Sequence, residues 1–266
     1  MPKRSFIHGV FGDLFNPDGT LTVLNKEIKL NLSNKYQVDY IAYVFGIENE
    51  KYLKDLGVKT KLLDIKKWGW DKETELFRHK LEFYKAGMED FDEIVYLDWD
   101  VLQLKPLTSN YWENLYKKEK IQGHIHRRRQ GTCPWRKYKF WKNRLINAGI
   151  LALRDNNLPN LFIQTWNKID SDEFLTIKND RKFWTFNDEI IIQYVIDHIY
   201  GFVDKIQGKR FFAEQWLKKF ELEDSILGSF RGLKDDIGDN VVFNHLSGDF
   251  KRLQKKHQEI NNLLDK

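Results

Sequence analysis

Short apolar runs alternate with longer amphipathic ones through the first hundred residues. SFIHGVF (residues 5–11) and VDYIAYVFG (38–46) are compact, rich in β-branched and aromatic side chains, and stopped by glycine or polar turns, as buried strands are. Between them LTVLNKEIKLNL (21–32) carries apolar residues at helical spacing. ENEKYLKDLG (48–57) reads as a charged helix ended by Gly57, a residue type common just past a helix terminus. KTKLLDI (59–65) is a third strand candidate. ETELFRHKLEFYKAGMEDF (73–91) puts Leu76, Phe77, Leu81 and Tyr84 on one face and charges on the other, a helix feeding the strand EIVYL (93–97). Strands that are apolar throughout and separated by helices predict an α/β fold, with a mostly parallel central sheet covered by helices on both sides.

The later pattern is less regular. LINAGILAL (145–153) predicts another buried strand, FNDEIIIQYVIDHI (186–199) an apolar helix, DNVVFNHL (239–246) a late strand and KRLQKKHQEINNLLDK (251–266) a solvated helix. No internal repeat, low-complexity tract or Pro/Gly linker interrupts the chain, so residues 1–266 are expected to form one domain.

Composition adds limits. Of the 266 residues 41% are hydrophobic and 15% aromatic, enough to build a core and exclude a disordered chain. The formal charge of +5 favours anionic ligands without defining one. A single cysteine, Cys133, excludes an internal disulfide framework and a cysteine-rich metal site, which suits a reducing compartment. MPKRSFIHGV lacks a signal-peptide apolar region, and no 18-residue apolar run occurs, so the expectation is a cytoplasmic protein with no transmembrane segment, peripheral at most to a membrane surface.

The strand EIVYL ends in Asp98, Trp99 and Asp100. In an open parallel sheet, ligands bind beyond the carboxyl ends of the strands. Two acids one residue apart on extended chain project to the same side and repel unless a cation or hydrogen bonds compensate. Carboxylates suit Mg²⁺ or Mn²⁺, ions that keep positions open for phosphate oxygens. The competing reading makes one acid a helix cap or turn residue and the other a solvated loop acid. NHLSGDFK (244–251) shifts the balance: His245, Gly248 and Lys251 supply an imidazole ligand, a backbone that approaches phosphate closely and a point charge, again after an apolar strand.

Together FRHKLEFY (77–84), DEIVYLDWDVLQLKPL (92–107), LINAGILAL, FNDEIIIQYVI (186–196) and NHLSGDFK resemble, in order, the motifs of GT-A glycosyltransferases, most closely the glycogenin and galactosyltransferase-like family eight. That resemblance implies a single Rossmann-like GT-A domain, with about residues 1–107 as the nucleotide-binding half and about 108–266 as the acceptor-side half. It implies transfer of a hexose from a nucleotide-diphosphate sugar, a UDP-sugar in most of the family, to a glycan, glycolipid or protein-linked acceptor, with retention of configuration. By position, Asp98, Asp100 and His245 would hold Mn²⁺ (or Mg²⁺), with Trp99 between the acids, and Asp98 would also meet the donor ribose. Lys251 would contact the diphosphate, with Gly248 letting it close. Lys80 matches a basic residue near the donor, and is equally a solvated helix lysine. Asn147 would line the donor sugar. Asn187 and Asp188 stand where the family has an Asp-Gln pair: either Asp188 is the acid with Glu189 in place of the amide, or the alignment slips by one. His8, Gly9, Val10 and Phe11, at the end of the first strand, would cradle the base.

Residues 124–144 hold eight Lys/Arg and no acid, interleaved with Trp135, Tyr138, Phe140 and Trp141. Such a mixture suits an acceptor-binding loop for an anionic sugar acceptor, a solvated surface loop, or an RNA-binding module. No stable nucleic-acid partner is expected under the first reading. Nucleotidyl transfer, the other rival, calls for a basic glycine-rich loop after the first strand, and HGVFGDLFNPDG has neither Lys nor Arg.

Overall fold

The structure is a computed structural model and describes residues 1–10, 36, 38–64, 73–98, 101–103, 106–115, 121–125, 146–169, 188–195, 229–231 and 243–245. Its strands are β1 (Arg4–Val10), β2 (Tyr40–Val44), β3 (Thr60–Leu62), β4 (Glu93–Leu97), β5 (Val101–Gln103), β6 (Ile121–Ile125), β7 (Ile146–Leu153), β8 (Ser229–Arg231) and β9 (Phe243–His245). The described helices are α1 (Ile47–Asp55), α2 (Glu73–Asp90), α3 (Tyr111–Leu115), α4 (Asn157–Ile169) and α5 (Asp188–Tyr194).

Six strands form the main sheet in the order β3-β2-β1-β4-β7-β6. β3, β2, β1 and β4 run parallel, while β7 lies antiparallel to both β4 and β6. The expected α/β fold with a mostly parallel sheet flanked by helices is the one observed. Chain reversal at β7 has a consequence for the site: the start of β7, not its end, lies at the carboxyl end of β4.

Two chemically different layers cover this sheet. On one face Ile7, Gly9, Tyr43, Ile94 and Tyr96 meet α2; α4 packs against α2, and α5 packs against β7, α2 and α4. Gly9 lies under Phe83, and a Cβ there would enter the ring; a Cβ on Gly87 of α2 would come within 2.6 Å of the Ile7 side chain. Helix and sheet therefore touch at two glycines. On the opposite face Phe6 gathers Tyr40, Tyr111, Trp112 and Phe243 at ring-centroid distances of 5.0 to 5.9 Å. Phe243 belongs to β9, which with β5 and β8 makes a second, three-stranded sheet in the order β5-β9-β8. Tyr40 also donates to Gln103 Oε1 of β5. Aromatic packing and one buried hydrogen bond thus seat the small sheet against the large one.

Helix α2 departs from the amphipathic expectation. Arg78, His79 and Lys80 are all buried, although consecutive helical residues point 100° apart. The middle of α2 is thus enclosed by tertiary structure on faces that its charges mark as solvated. Helix α1 ends as expected, at Gly57 with φ +76°, whose N–H bonds the Lys54 carbonyl at 2.8 Å. Residues 21–32 and 251–266, both expected to be helical, lie outside the described residues.

The contact at Gly9 yields the first expectation. Gly9→Ala overpacks the α2 interface at a cost of about 2 kcal/mol, which lowers the melting temperature by roughly 4–8 °C for a chain of this size. Thermal denaturation measures it; an unchanged melting temperature would show that Gly9 is not pressed against Phe83.

Candidate functional site

Period two along β4 puts Tyr96 and Asp98 on the face that α2 covers, and the four-residue repeat of α2 puts Lys80 and Tyr84 above them. Lys80 Nζ lies 2.9 Å from Asp98 Oδ1 and 3.0 Å from Oδ2. The same ammonium lies 3.2 Å from Asp188 Oδ2, at the first residue of α5, an ion pair rather than an aligned hydrogen bond. Tyr96 donates to Asp98 Oδ1 at 3.0 Å, and Tyr84 donates to the Ala148 carbonyl of β7 at 3.3 Å. Glu189 Oε1 accepts the Ala148 N–H at 3.4 Å. The peptide next to Asn147 is thereby gripped from two helices.

Lys80 is 8% and Asp188 2% exposed, so this cluster sits largely outside bulk water. Burial pulls the Lys80 pKa down, but the charges of Asp188 and then Asp98 outweigh it and hold the ammonium well above its ordinary value. Asp188 moves up to about 6: burial raises it, Lys80 opposes, and Glu189 and Asp98 add repulsion. The cation lies between two carboxylates, which favours its charged form, whereas at Asp188 burial outweighs the attraction of Lys80.

The backbone extends the constellation. The Asp98 N–H bonds the Gly149 carbonyl at 2.8 Å, carrying the β4–β7 ladder one residue further, so Asn147 and Ala148 lie beyond the end of β4. The Val101 N–H then bonds the Asp98 carbonyl at 3.0 Å, which turns the chain into β5. Val101 is paired with His245 across the antiparallel β5–β9 ladder. Residue 245 is therefore brought beside the chain that follows Asp98, some 145 positions earlier in sequence.

Of the residues singled out by sequence, Lys80, Asp98 and Asp188 meet through their side chains, and Asn147 and His245 adjoin them by strand register. His8, Gly9 and Val10 end β1 at the same sheet edge. His8 is buried, its Nδ1 2.7 Å from the Leu97 carbonyl and its ring 5.1 Å from Tyr40. Val10 packs with Ala42, Val44 and Leu53. Phe11, Trp99, Asp100, Asn187, Gly248 and Lys251 lie outside the described residues, as does the basic stretch beyond Ile125. Among the described residues no group of three or more His, Cys, Asp or Glu is placed to hold a metal ion. The donor set suits a hard divalent ion in kind: a carboxylate at the strand end, a second acid two residues on and an imidazole residue opposite Val101. Tyr84 and Tyr96 were missed by sequence reading, although Tyr96 stands two residues before Asp98 and so on its face.

No family model and no curated protein matches the chain. Among solved structures it is similar to a glycosyltransferase involved in the glycosylation of the major capsid of PBCV-1, at 12% identity over 97% of this chain and 100% of the other, TM-score 0.41. It is also similar to mouse xyloside xylosyltransferase 1 in its apo form, at 10% identity over 94% and 99% of the two chains, TM-score 0.45. At that identity and superposition, the chemistry of the site rests on this chain's own residues.

The raised pKa of Asp188 makes stability depend on pH in a defined direction. A folded-state value above the unfolded 3.8 favours the neutral acid, so its contribution is full below about pH 4 and is lost as pH rises through about 6. Unfolding free energy of the protein relative to Asp188→Asn should fall by on the order of 2–3 kcal/mol from about pH 4 to about pH 7. Urea titrations across that range measure the difference; parallel profiles would mean that Asp188 is not held in this charged, buried setting.

Proposed function

We propose that this chain is a divalent-metal-dependent glycosyltransferase of GT-A type that moves a hexose from a nucleotide-diphosphate sugar, a UDP-sugar in the first instance, to a glycan, glycolipid or protein-linked acceptor, with retention. One observation carries the reading more than any other: the β5–β9 register that seats residue 245 beside the segment after Asp98. That register brings two distant parts of the sequence with metal-ligand chemistry together at the carboxyl edge of a sheet, where α/β folds bind ligands.

Asp98, Asp100 and His245 would hold Mn²⁺ or Mg²⁺, which when bound supplies Lewis-acid stabilisation to the departing diphosphate. Lys251 adds a positive charge to the same diphosphate. Asn147 begins the wall formed by β7, and Asp188, ionised at neutral pH with a pKa of about 6, supplies negative potential for a sugar that develops oxocarbenium character. Lys80 holds Asp98 and Asp188 in fixed relation before any donor arrives, the preorganisation on which electrostatic catalysis depends. The basic aromatic stretch 124–144 would bind an anionic acceptor. No helix among the described residues is long and apolar enough to cross a membrane, and we place the activity in the cytoplasm or at a membrane surface.

Saturating UDP with Mn²⁺, at about 100 times its Kd, should stabilise the fold by roughly 2.7 kcal/mol, with neither component sufficient alone. Asp100→Ala should abolish that joint melting shift and the Mn²⁺-dependent hydrolysis of UDP-sugars while the apo melting temperature stays within a few degrees. Turnover within a few-fold of the parent would remove Asp100 from the site.

A further inference from the structure

Tyr96 is 1% exposed, yet its hydroxyl is not spent on the fold's own hydrogen-bond ladders. It points along β4 to Asp98 Oδ1, two residues on and on the same strand face. Its ring is fixed by Tyr84, which stands edge-on at 4.8 Å and 88°, and the Lys80 ammonium lies 5.5 Å from its centroid. In that contact the phenol is the donor and the carboxylate oxygen the acceptor.

The contrast with Lys80 defines what the hydroxyl adds. The ammonium meets both oxygens of Asp98 at nearly equal distance and also answers to Asp188, so by itself it does not distinguish Oδ1 from Oδ2. An O–H donor on one named oxygen, carried by a ring with no freedom to move, selects a single rotation. From this we infer that Tyr96 is a positioning residue, which sets the orientation of the Asp98 carboxylate toward the divalent cation and the nucleotide. The inference rests on the function proposed above and adds to it a group that touches neither metal nor donor. Partners one shell removed from a metal orient its ligands, and their loss typically weakens binding about 10- to 100-fold.

The test is Mn²⁺ affinity in saturating UDP, read by the intrinsic tryptophan fluorescence of the whole chain. Tyr96→Phe keeps the ring and should weaken Mn²⁺ about tenfold or more. Replacement of Tyr96 by 4-aminophenylalanine, which restores a donor, should return affinity to within about threefold of the parent. Tyr84→Phe removes a hydroxyl from the same buried pair, but one that serves the Ala148 carbonyl, and should leave Mn²⁺ affinity within about twofold. Equal losses in the two phenylalanine variants, or none in Tyr96→Phe, would overturn the positioning role. Should Tyr96→Phe fail to fold, 3-fluorotyrosine placed at position 96 gives a second readout: its fluorine resonance should move when Mg²⁺ is added with UDP, and a stationary resonance would contradict the inference. A parent protein that binds UDP no better with Mn²⁺ than without would remove the proposed function and this role together, whereas unchanged affinity in Tyr96→Phe removes this role alone.

Discussion

Three residues of β5 paired with three of β9 decide where residue 245 lies relative to the end of β4. Neither strand is long enough to be stable alone. Both are held from outside, β9 by Phe243 within the aromatic cluster on Phe6 and β5 by the hydrogen bond between Tyr40 and Gln103. The pairing is antiparallel and the side-chain period is two, so a slip of one residue would turn His245 to the other face of its sheet. The aromatic seat therefore determines the register, and the register determines which residues share the sheet edge. The candidate site is positioned from a part of the core that contributes no polar group to it.

A second constraint concerns charge. Lys80, Asp98 and Asp188 bring one cation and two anions into a largely dry space, and burial alone would be costly for each. The ion pairs offset that cost at the sheet edge. A second ion-paired acid stands on the same strand. Glu93, at the opposite end of β4, is 1% exposed and flanked by Arg154 and by Arg4, which also pairs with Glu113. An ion-paired carboxylate thus stands at each end of β4, and the one that follows the strand lies where ligands bind in α/β sheets.

Much of the fold was legible because the strands that build it are short, apolar and bounded by turns. β1, β2, β3, β4 and β7 fall within the runs marked from sequence, and Gly57 ends its helix as its residue type suggests. What escaped notice depends on partners distant in sequence. β5 (VLQ), β6 (IQGHI) and β8 (SFR) interrupt their apolar residues with polar ones or glycine, and β5 and β8 are paired with the distant β9. Helix α4 needs no distant partner to be read, since its apolar residues recur at helical spacing in NLPNLFIQTWNKI. The burial of Arg78, His79 and Lys80 could not be read from their charges, since only the tertiary surroundings of α2 enclose them. Within the site, residue type and spacing marked Asp98, and the motif resemblance added Lys80 and Asp188, but neither showed that one ammonium would join both acids. Tyr96 was hidden by its chemistry, because an aromatic residue in a buried strand is accounted for by packing until its hydroxyl is followed to Asp98.

The proposed reaction requires a cation shared between the acids after β4 and the imidazole at the end of β9. Pulsed electron paramagnetic resonance of Mn²⁺ bound with UDP reads that arrangement directly, through the coupling of the metal to nitrogen. A directly coordinated imidazole nitrogen is expected, and it should vanish in His245→Ala while phosphorus coupling from the diphosphate remains. Bound Mn²⁺ with no imidazole nitrogen, or a nitrogen signal that survives His245→Ala, would contradict it.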